Sequence, residues 1–294
     1  MPLRSTPESA FESVSGYDYP VSYQSVGDLE MAYVDTGEGK ETFLCLHGEP
    51  TWGYLYRKMI PRLSARGRVV VPDAVGFGRS DKYTDPTEYS FRLHYEAFER
   101  FLTELDLTDV TLVCQDWGGI LGLTLAANHP ERFARLVPMN TGIPTGDQEM
   151  PEAWEEFRDF VERVEELPVG MLIQEATTTE LSPEVIAAYE APFPDEGLKA
   201  GARAWPDMVP RKGGGDGAEM TRAAARRLGE WEKPAFVLFS DSDPITRPNR
   251  DPLREHIPTA TEQPDVWVEG AGHFLQEDAG EEIADRIVAF VDRT

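Results

Sequence analysis

A strand, a sharp turn and a helix in the middle of the chain hold its most informative residues. Residues 110–113 form an apolar run typical of a buried strand, and residues 120–127 continue as an apolar helix. Between them lies the motif Cys114-Gln115-Asp116-Trp117-Gly118-Gly119. Such a strand-to-helix turn is where the pattern G-x-S-x-G exposes a nucleophilic serine. Here aspartate takes the place of serine, so Asp116 is predicted to be the nucleophile.

An aspartate at this position restricts the chemistry. A carboxylate that attacks a saturated carbon displaces a leaving group and forms an ordinary ester. The same carboxylate would form an anhydride, a poor intermediate, if it attacked a carboxylic ester. Asp116 therefore argues against esterases and lipases and favours cleavage of carbon–halogen bonds or of epoxides. Taken alone, an aspartate after a strand also fits a helix N-cap.

Three further motifs complete a catalytic set in the expected order. His47-Gly48-Glu49-Pro50 follows a strand at residues 42–46, where an oxyanion-binding N–H is expected. Asp243 follows a strand at residues 235–240, and His273 follows one at residues 265–268. The order nucleophile, acid, histidine is that of an α/β-hydrolase triad, and these combined matches outweigh the N-cap explanation. Asp241 follows the same strand as Asp243, but the motif register favours Asp243.

Apolar strands alternate with amphipathic helices along most of the chain. Strands are expected at residues 31–34, 42–46, 68–71, 110–114, 136–139, 235–239 and 266–268, and helices at residues 54–66, 95–105, 118–128 and 282–291. This alternation predicts an α/β fold with a mostly parallel sheet covered on both faces.

The alternation stops between residues 141 and 230. Helices are expected there at residues 152–166, 183–190 and 218–228, with a glycine-rich loop at residues 213–215. A helical insertion between core strands is typical of a lid that excludes water from a nucleophile. The chain is therefore divided into a core at residues 1–140, a helical cap at residues 141–230 and further core at residues 231–294.

Acidic residues outnumber basic ones by almost two to one. The 53 aspartates and glutamates face 28 lysines and arginines, only six of them lysine, and the formal net charge is −25. This charge argues against nucleic acid or an anionic membrane as a partner. Many acids with few lysines resemble the proteins of salt-loving microbes, in which molar salt screens repulsion beyond about 3 Å. A merely acidic protein is the alternative.

Several signals are missing from the sequence. No run of 18 apolar residues predicts a membrane span, and residues 1–19 lack the pattern of a signal peptide, so a cytoplasmic protein is expected. Cys45 and Cys114 are interpreted as reduced core residues. No cluster has the spacing of a metal site, and neither a metal nor another cofactor is expected.

Long motifs give the chain a specific resemblance from about Tyr19 onward. It resembles the haloalkane dehalogenases, most closely their first subfamily. The matching segments are residues 46–52, 54–61, 72–73, 76–81, 115–119, 191–195 and 272–277. The resemblance implies an α/β-hydrolase fold with a mostly parallel eight-stranded sheet and a helical cap inserted after strand 6. It also implies hydrolysis of small halogenated aliphatic substrates by water, with release of halide, in a monomer or weak homo-oligomer.

The resemblance implies a role for each site residue. Asp116 attacks the halogen-bearing carbon, Asp243 orients His273, and His273 activates the water that hydrolyses the resulting ester. The backbone N–H groups of Glu49 and Trp117 hold the oxyanion, and the Trp117 indole N–H binds the halide.

A second halide donor is harder to assign. In the second subfamily an asparagine follows His-Gly, but here Glu49 occupies that position, so a lid tryptophan is expected instead. Trp154 is the candidate, although the usual tryptophan aligns three residues later, at Phe157. Residues three apart share a helix face, so Trp154 is expected to reach the same pocket. The alternative is that Trp154 only anchors the lid.

Two other functions compete with dehalogenation. An epoxide hydrolase shares the Asp nucleophile but needs lid tyrosines to protonate the epoxide, and Tyr189 is the only tyrosine between residues 141 and 230. A catalytically silent binding scaffold is expected to have a broken triad, whereas all three members are present here.

Overall fold

A six-stranded sheet forms the centre of the computed structural model, which describes residues 3–294. The strands of the chain are β1 (Leu3–Arg4), β2 (Val21–Ser25), β3 (Glu30–Thr36), β4 (Glu41–Leu46), β5 (Gly67–Pro72), β6 (Lys82–Tyr83), β7 (Val110–Gln115), β8 (Phe133–Met139), β9 (Phe239–Ser240) and β10 (Trp267–Val268). The central order is β2-β3-β5-β4-β7-β8, antiparallel from β2 to β5 and parallel from β5 to β8. The prediction of a mostly parallel sheet is confirmed.

The parallel pair β9–β10 continues this sheet beyond β8 through an irregular segment. In that segment the Phe236 N–H donates to Leu136 O (2.8 Å), and the Leu238 N–H donates to Pro138 O (3.1 Å). Because Pro138 has no N–H, it cannot return a bond to this segment. The regular pairing of β9 is with β10, from Phe239 onward. With this pair, eight strands lie side by side.

The helices pack around the sheet. They are α1 (Ile60–Ser64), α2 (Phe91–Glu104), α3 (Asp116–Asn128), α4 (Glu152–Arg163), α5 (Val169–Glu175), α6 (Pro183–Glu190), α7 (Ala200–Met208), α8 (Ala218–Leu228), α9 (Arg250–His256) and α10 (Leu275–Arg293). α3 is buried along its length between α2 and α8, and α1 packs against α10. Within residues 3–294 no helix is long and apolar enough to cross a bilayer.

Helices α4 to α8 lie in the segment expected to form a lid, between β8 and the irregular segment. α6 and α8 have the predicted bounds, whereas α5 and α7 were not predicted. Helix α7 packs against α4 and β6. Two side-chain bonds tie α6 to the core, because Trp52 Nε1 donates to Ala188 O (3.1 Å) and the Tyr189 hydroxyl donates to Glu277.

Candidate active site

Asp116 stands at the junction of β7 and α3, with a backbone φ of +51°. This left-handed conformation is uncommon for a residue with a side chain and is found where a strand turns sharply into a helix to expose a nucleophile. The surroundings are tight: a Cβ on Gly48 would overlap the Asp116 carboxylate, and a Cβ on Gly118 would overlap Leu46 O. Glycine at position 48 therefore allows the loop after β4 to approach Asp116, and glycine at position 118 allows the start of α3 to approach the end of β4.

His273 lies between two carboxylates. Its Nδ1 is 3.0 Å from Asp243 Oδ2, and its Nε2 is 3.6 Å from Asp116 Oδ2. Asp243 is buried and also accepts hydrogen bonds from the Ile245 N–H (2.8 Å) and the Thr246 hydroxyl. The carboxyl ends of β7, β9 and β10 thus bring together the nucleophile, acid and histidine proposed from the sequence.

Asp241, the competing acid, takes a different position. Its Oδ1 accepts hydrogen bonds from the Gly270 N–H and the Ser242 hydroxyl, each at 2.9 Å. These bonds join the loops that follow β9 and β10, and Asp241 is not among the residues that contact the imidazole. The structure therefore places Asp243, and not Asp241, against His273.

The two carboxylates control the charge of the imidazole. Burial lowers the pKa of His273, but Asp243 and Asp116 outweigh this effect and raise it to about 10. Burial raises the pKa of Asp243, but His273 and the bonds from Thr246 and Ile245 outweigh it and hold that pKa below its ordinary value. The two carboxylates therefore favour the protonated imidazole in the resting site.

Backbone donors surround the Asp116 carboxylate. The Glu49 N–H donates to Asp116 Oδ1 at 2.7 Å. Trp117 follows in the first turn of α3, where backbone N–H groups have no partner within the helix. Two donors are therefore available where negative charge would develop on an oxygen of an Asp116 ester.

Asp116 and His273 border a cavity of about 370 Å³. Its walls are mostly apolar and come from the core and from helices α4, α5, α7 and α8. Lining residues near the predicted site include Trp117, Trp154, Phe157, Leu172 and Phe274. A cavity of this size and polarity suits a small apolar ligand.

Known proteins are similar to this chain in sequence and in fold. The pattern of the family described as "alpha/beta hydrolase fold" matches residues 41–280. The haloalkane dehalogenase of Psychrobacter cryohalolentis is 43% identical over 99% of this chain and 98% of its own, and haloalkane dehalogenase 1 of Mycobacterium tuberculosis is 43% identical over 100% of both. The chain belongs to the haloalkane dehalogenases. A solved haloalkane dehalogenase from Paraglaciecola agarilytica NO2, described as tetrameric, is 37% identical, with a TM-score of 0.91 over 97% of each chain.

The Glu49 side chain is a buried acid without a hydrogen-bond partner in the part of the chain that the structure describes. Neither of its carboxylate oxygens has a hydrogen-bond partner within residues 3–294. Burial, and then the charge of Asp116, raises the pKa of Glu49 well above its ordinary value. Burial and the neighbouring Asp116 charge therefore favour the neutral form of Glu49, whose O–H group can donate.

Two tryptophans line the cavity and have indole N–H groups without a hydrogen-bond partner within residues 3–294. Trp117 and Trp154 both line the cavity, and Phe157 lines it one turn after Trp154. No hydrogen bond within residues 3–294 engages the indole N–H of Trp117 or of Trp154. Both are available to a ligand, and the expectation that Trp154 reaches the same pocket as Phe157 agrees with the lining.

Three other tryptophans do not offer a free indole N–H to the cavity. Trp205 donates its indole N–H to His94 Nε2 at 2.6 Å, and Trp52 donates to Ala188 O at 3.1 Å. The Trp231 indole nitrogen is buried without a partner within residues 3–294, and Trp231 does not line the cavity. Trp117 and Trp154 are thus the tryptophans whose donors the dehalogenase site can use.

Two amide side chains near His273 were missed from the sequence. Asn140 is buried, accepts the Ser240 N–H at 2.9 Å, and donates to the carbonyls of Gly272 and His273, each at 3.0 Å. Gln115 Nε2 lies 3.1 Å from His273 Nε2. The Gln115 amide can serve both charge states: its nitrogen donates to a neutral imidazole, and a flipped amide accepts from an imidazolium.

Tyr189, the tyrosine that an epoxide hydrolase would need, points elsewhere. It is fully buried, and its hydroxyl donates to Glu277, which also pairs with Arg57 and Lys58. Tyr189 does not line the cavity. An epoxide bound beside Asp116 would therefore receive no proton from this hydroxyl, and the epoxide hydrolase alternative is not favoured.

Proposed function

We propose that this enzyme hydrolyses carbon–halogen bonds of small halogenated aliphatic compounds through a covalent alkyl ester on Asp116. The products are an alcohol, a halide ion and a proton. One observation carries the proposal: an aspartate occupies the nucleophile turn, 3.6 Å from His273, at the edge of a largely apolar cavity. The family to which the chain belongs supports the same reaction.

In the first step, an Asp116 oxygen attacks the halogen-bearing carbon from the side opposite the halogen. The carbon–oxygen bond forms as the carbon–halogen bond breaks, and the halogen leaves with the bonding electrons. The indole N–H groups of Trp117 and Trp154 bind the departing halide. A neutral donor on an aromatic plate suits a large anion that must later leave, because it stabilises the anion without pairing it with a fixed cation.

In the second step, water attacks the carbonyl carbon of the ester, and His273 takes a proton from that water. Formation of the ester removes the negative charge of Asp116, which is one of the two charges that raise the His273 pKa. Alkylation therefore lowers the pKa of His273, so that the imidazolium loses its proton to solvent as the proton released in each turnover. The neutral imidazole is then a base when a base is needed. Asp243 holds the imidazole in place throughout.

The N–H groups of Glu49 and Trp117 hold the oxyanion that forms on the ester oxygen. Collapse of this intermediate expels the alcohol oxygen, which takes the proton from His273, and leaves the Asp116 carboxyl group protonated. Transfer of that remaining proton to the neutral His273 restores the resting Asp116 carboxylate and imidazolium. In its neutral form, which burial favours, the Glu49 carboxyl group adds no second negative charge beside the departing halide and can orient the attacking water.

We also propose that residues 141–230 form a cap over a core made of residues 1–140 and 231–294. Helices α4, α5, α7 and α8 support this division, since they supply one side of the cavity. The cap excludes bulk water, which strengthens the hydrogen bonds to the halide and to the oxyanion. As an assembly we propose a monomer or weak homo-oligomer, which light scattering over a range of concentrations would distinguish from a stable tetramer.

Halide and proton release from 1,2-dibromoethane and 1-bromobutane tests the function, with styrene oxide as the epoxide control. We expect stoichiometric halide and proton release, and loss of both in Asp116→Asn by about 10⁴-fold or more. Diol formation from styrene oxide without halide release from either bromoalkane would assign the protein to the epoxide hydrolases instead.

A further inference from the structure

A third tryptophan lies directly behind the halide-facing indole of Trp117. Trp205 belongs to α7, is fully buried, and stacks on Trp117 with ring centroids 5.2 Å apart and planes at 27°. Its other neighbours include Phe77, at 4.1 Å between centroids. The orientation of the Trp117 ring therefore depends on where the Trp205 ring is held.

One hydrogen bond holds the Trp205 ring, and it comes from the core. His94 belongs to α2, and its Nε2 accepts the Trp205 indole N–H at 2.6 Å. The bond requires an unprotonated Nε2, and burial lowers the pKa of His94 to about 3, so the ring is neutral. His94 Nδ1 then carries the proton, although it is buried without a partner within residues 3–294. A buried donor left without a partner destabilises the fold, so packing alone does not explain a histidine here.

We propose that His94 is a positioning residue for the halide site, acting through Trp205 on Trp117. By binding the Trp205 N–H, His94 fixes the ring on which Trp117 stacks and so aims the Trp117 N–H into the cavity. The bond also joins core helix α2 to cap helix α7 at the back of the site. The inference rests on the proposed dehalogenation, since it concerns the binding of the departing halide.

Without the histidine, the Trp205 N–H would be a buried donor with no acceptor, and the indole would turn to find one. Trp117 would lose its stacking partner and with it a fixed direction for its own N–H. Halide binding and the rate of carbon–halogen cleavage would then fall together, because both use the Trp117 donor. A purely structural role would instead lower the melting temperature and leave halide binding unchanged.

Bromide inhibition of wild type and variants tests the inference. We expect His94→Leu to raise the bromide inhibition constant about five- to tenfold and to lower kcat, whereas His94→Gln, which retains an acceptor, stays within about twofold of wild type. Trp205→Phe removes the donor and is expected to raise the same constant. In that background, His94→Leu should have no further effect, because coupled residues are non-additive.

Trp52→Phe is the matched control, because it breaks another indole bond between core and cap. The Trp52 ring packs against Phe11, Tyr17 and Tyr54 and is not paired with Trp117 or Trp205. We expect it to lower the melting temperature without changing the bromide constant. An unchanged bromide constant in His94→Leu, or an equal change in Trp52→Phe, would overturn the inference. If His94→Leu does not fold, an unchanged constant in Trp205→Phe does the same. Absence of halide release by wild type would instead contradict the proposed function itself.

Discussion

The two sides of the site differ in how their polar groups are satisfied. Around His273, the imidazole, the Asp243 carboxylate and the carbonyls of the supporting loop all have hydrogen-bond partners within the protein. Around the proposed halide position, the indole N–H groups of Trp117 and Trp154 have no partner within residues 3–294. Groups that transfer protons need a fixed orientation, and neighbouring bonds supply it. Groups that hold a departing ligand need open bonding positions, and the fold leaves them open.

The largest expected effect comes from His273→Phe, which removes the proton-transferring imidazole and leaves the proposed halide position intact. The first step needs no base, so one halide per enzyme should be released and an alkyl ester should remain on Asp116. Turnover should fall by about 10³-fold or more. Intact mass after incubation with 1-bromobutane should show one added butyl group, and an unmodified mass would contradict the covalent mechanism.

Trp154→Phe removes one of the two indole donors at the proposed halide position and should have a smaller effect. Loss of one of two neutral donors should weaken bromide binding by about 10- to 100-fold, because a hydrogen bond to a charged group contributes about 1.5–3 kcal/mol. Bromide quenching of tryptophan fluorescence and bromide inhibition both report this affinity. Trp231→Phe is the control, since Trp231 is buried and does not line the cavity. Equal bromide constants in Trp154→Phe and wild type would restrict Trp154 to anchoring the lid.

Glu49→Gln tests a residue between the two sides of the site. The Glu49 carboxyl group is buried without a hydrogen-bond partner within residues 3–294. Its pKa is raised in the folded protein, so its neutral form is stable there while the unfolded chain ionises above its ordinary pKa. The folded state therefore loses about 1.4 kcal/mol per pH unit as the pH rises between these two values. Glutamine does not ionise. The melting temperature of Glu49→Gln relative to that of wild type should therefore rise from pH 4 to pH 7. A pH-independent difference would show that Glu49 is ionised in the folded protein.

Salt should have the smallest effect on the site and a larger one on the whole protein. The excess acidic side chains lie mostly outside the buried core, and salt screens the repulsion among them. We expect the melting temperature to rise by several degrees from dilute buffer to molar potassium sulfate, while kcat changes less. A flat melting temperature would remove the halophilic interpretation.

The residues proposed as catalytic could be predicted to cluster because each follows an apolar strand. Parallel strands that end at the same edge of a sheet bring their next residues together, so the order of Asp116, Asp243 and His273 was sufficient to predict a cluster. Asn140 also follows a strand, but an amide has no chemistry that singles it out, and its bonds to the His273 loop appear only in three dimensions. The neutral state of Glu49 likewise depends on burial, which residue type alone does not reveal.

Parts of the fold escaped prediction for similar reasons. Strand β2 was missed because its residues are partly exposed and polar, as expected at a sheet edge, so it has no apolar run. The helix expected at residues 54–66 is a 3₁₀ turn at Gly53–Tyr56 followed by α1, and the proline in the first turn of α1 starts the new helix. Helix α7 was missed because Pro206, inside it, reads as a helix breaker.

The short pairing of β9 with β10 has a consequence for how the enzyme loses activity. The nucleophile follows β7, which is paired along its length on both sides, whereas the acid and the histidine follow strands that share two residue pairs. Segments with few ladder bonds open locally at lower free energy than the rest of a fold. On heating, the proton-transfer residues are therefore expected to separate first, leaving a folded protein that can still be alkylated but can no longer release its alcohol.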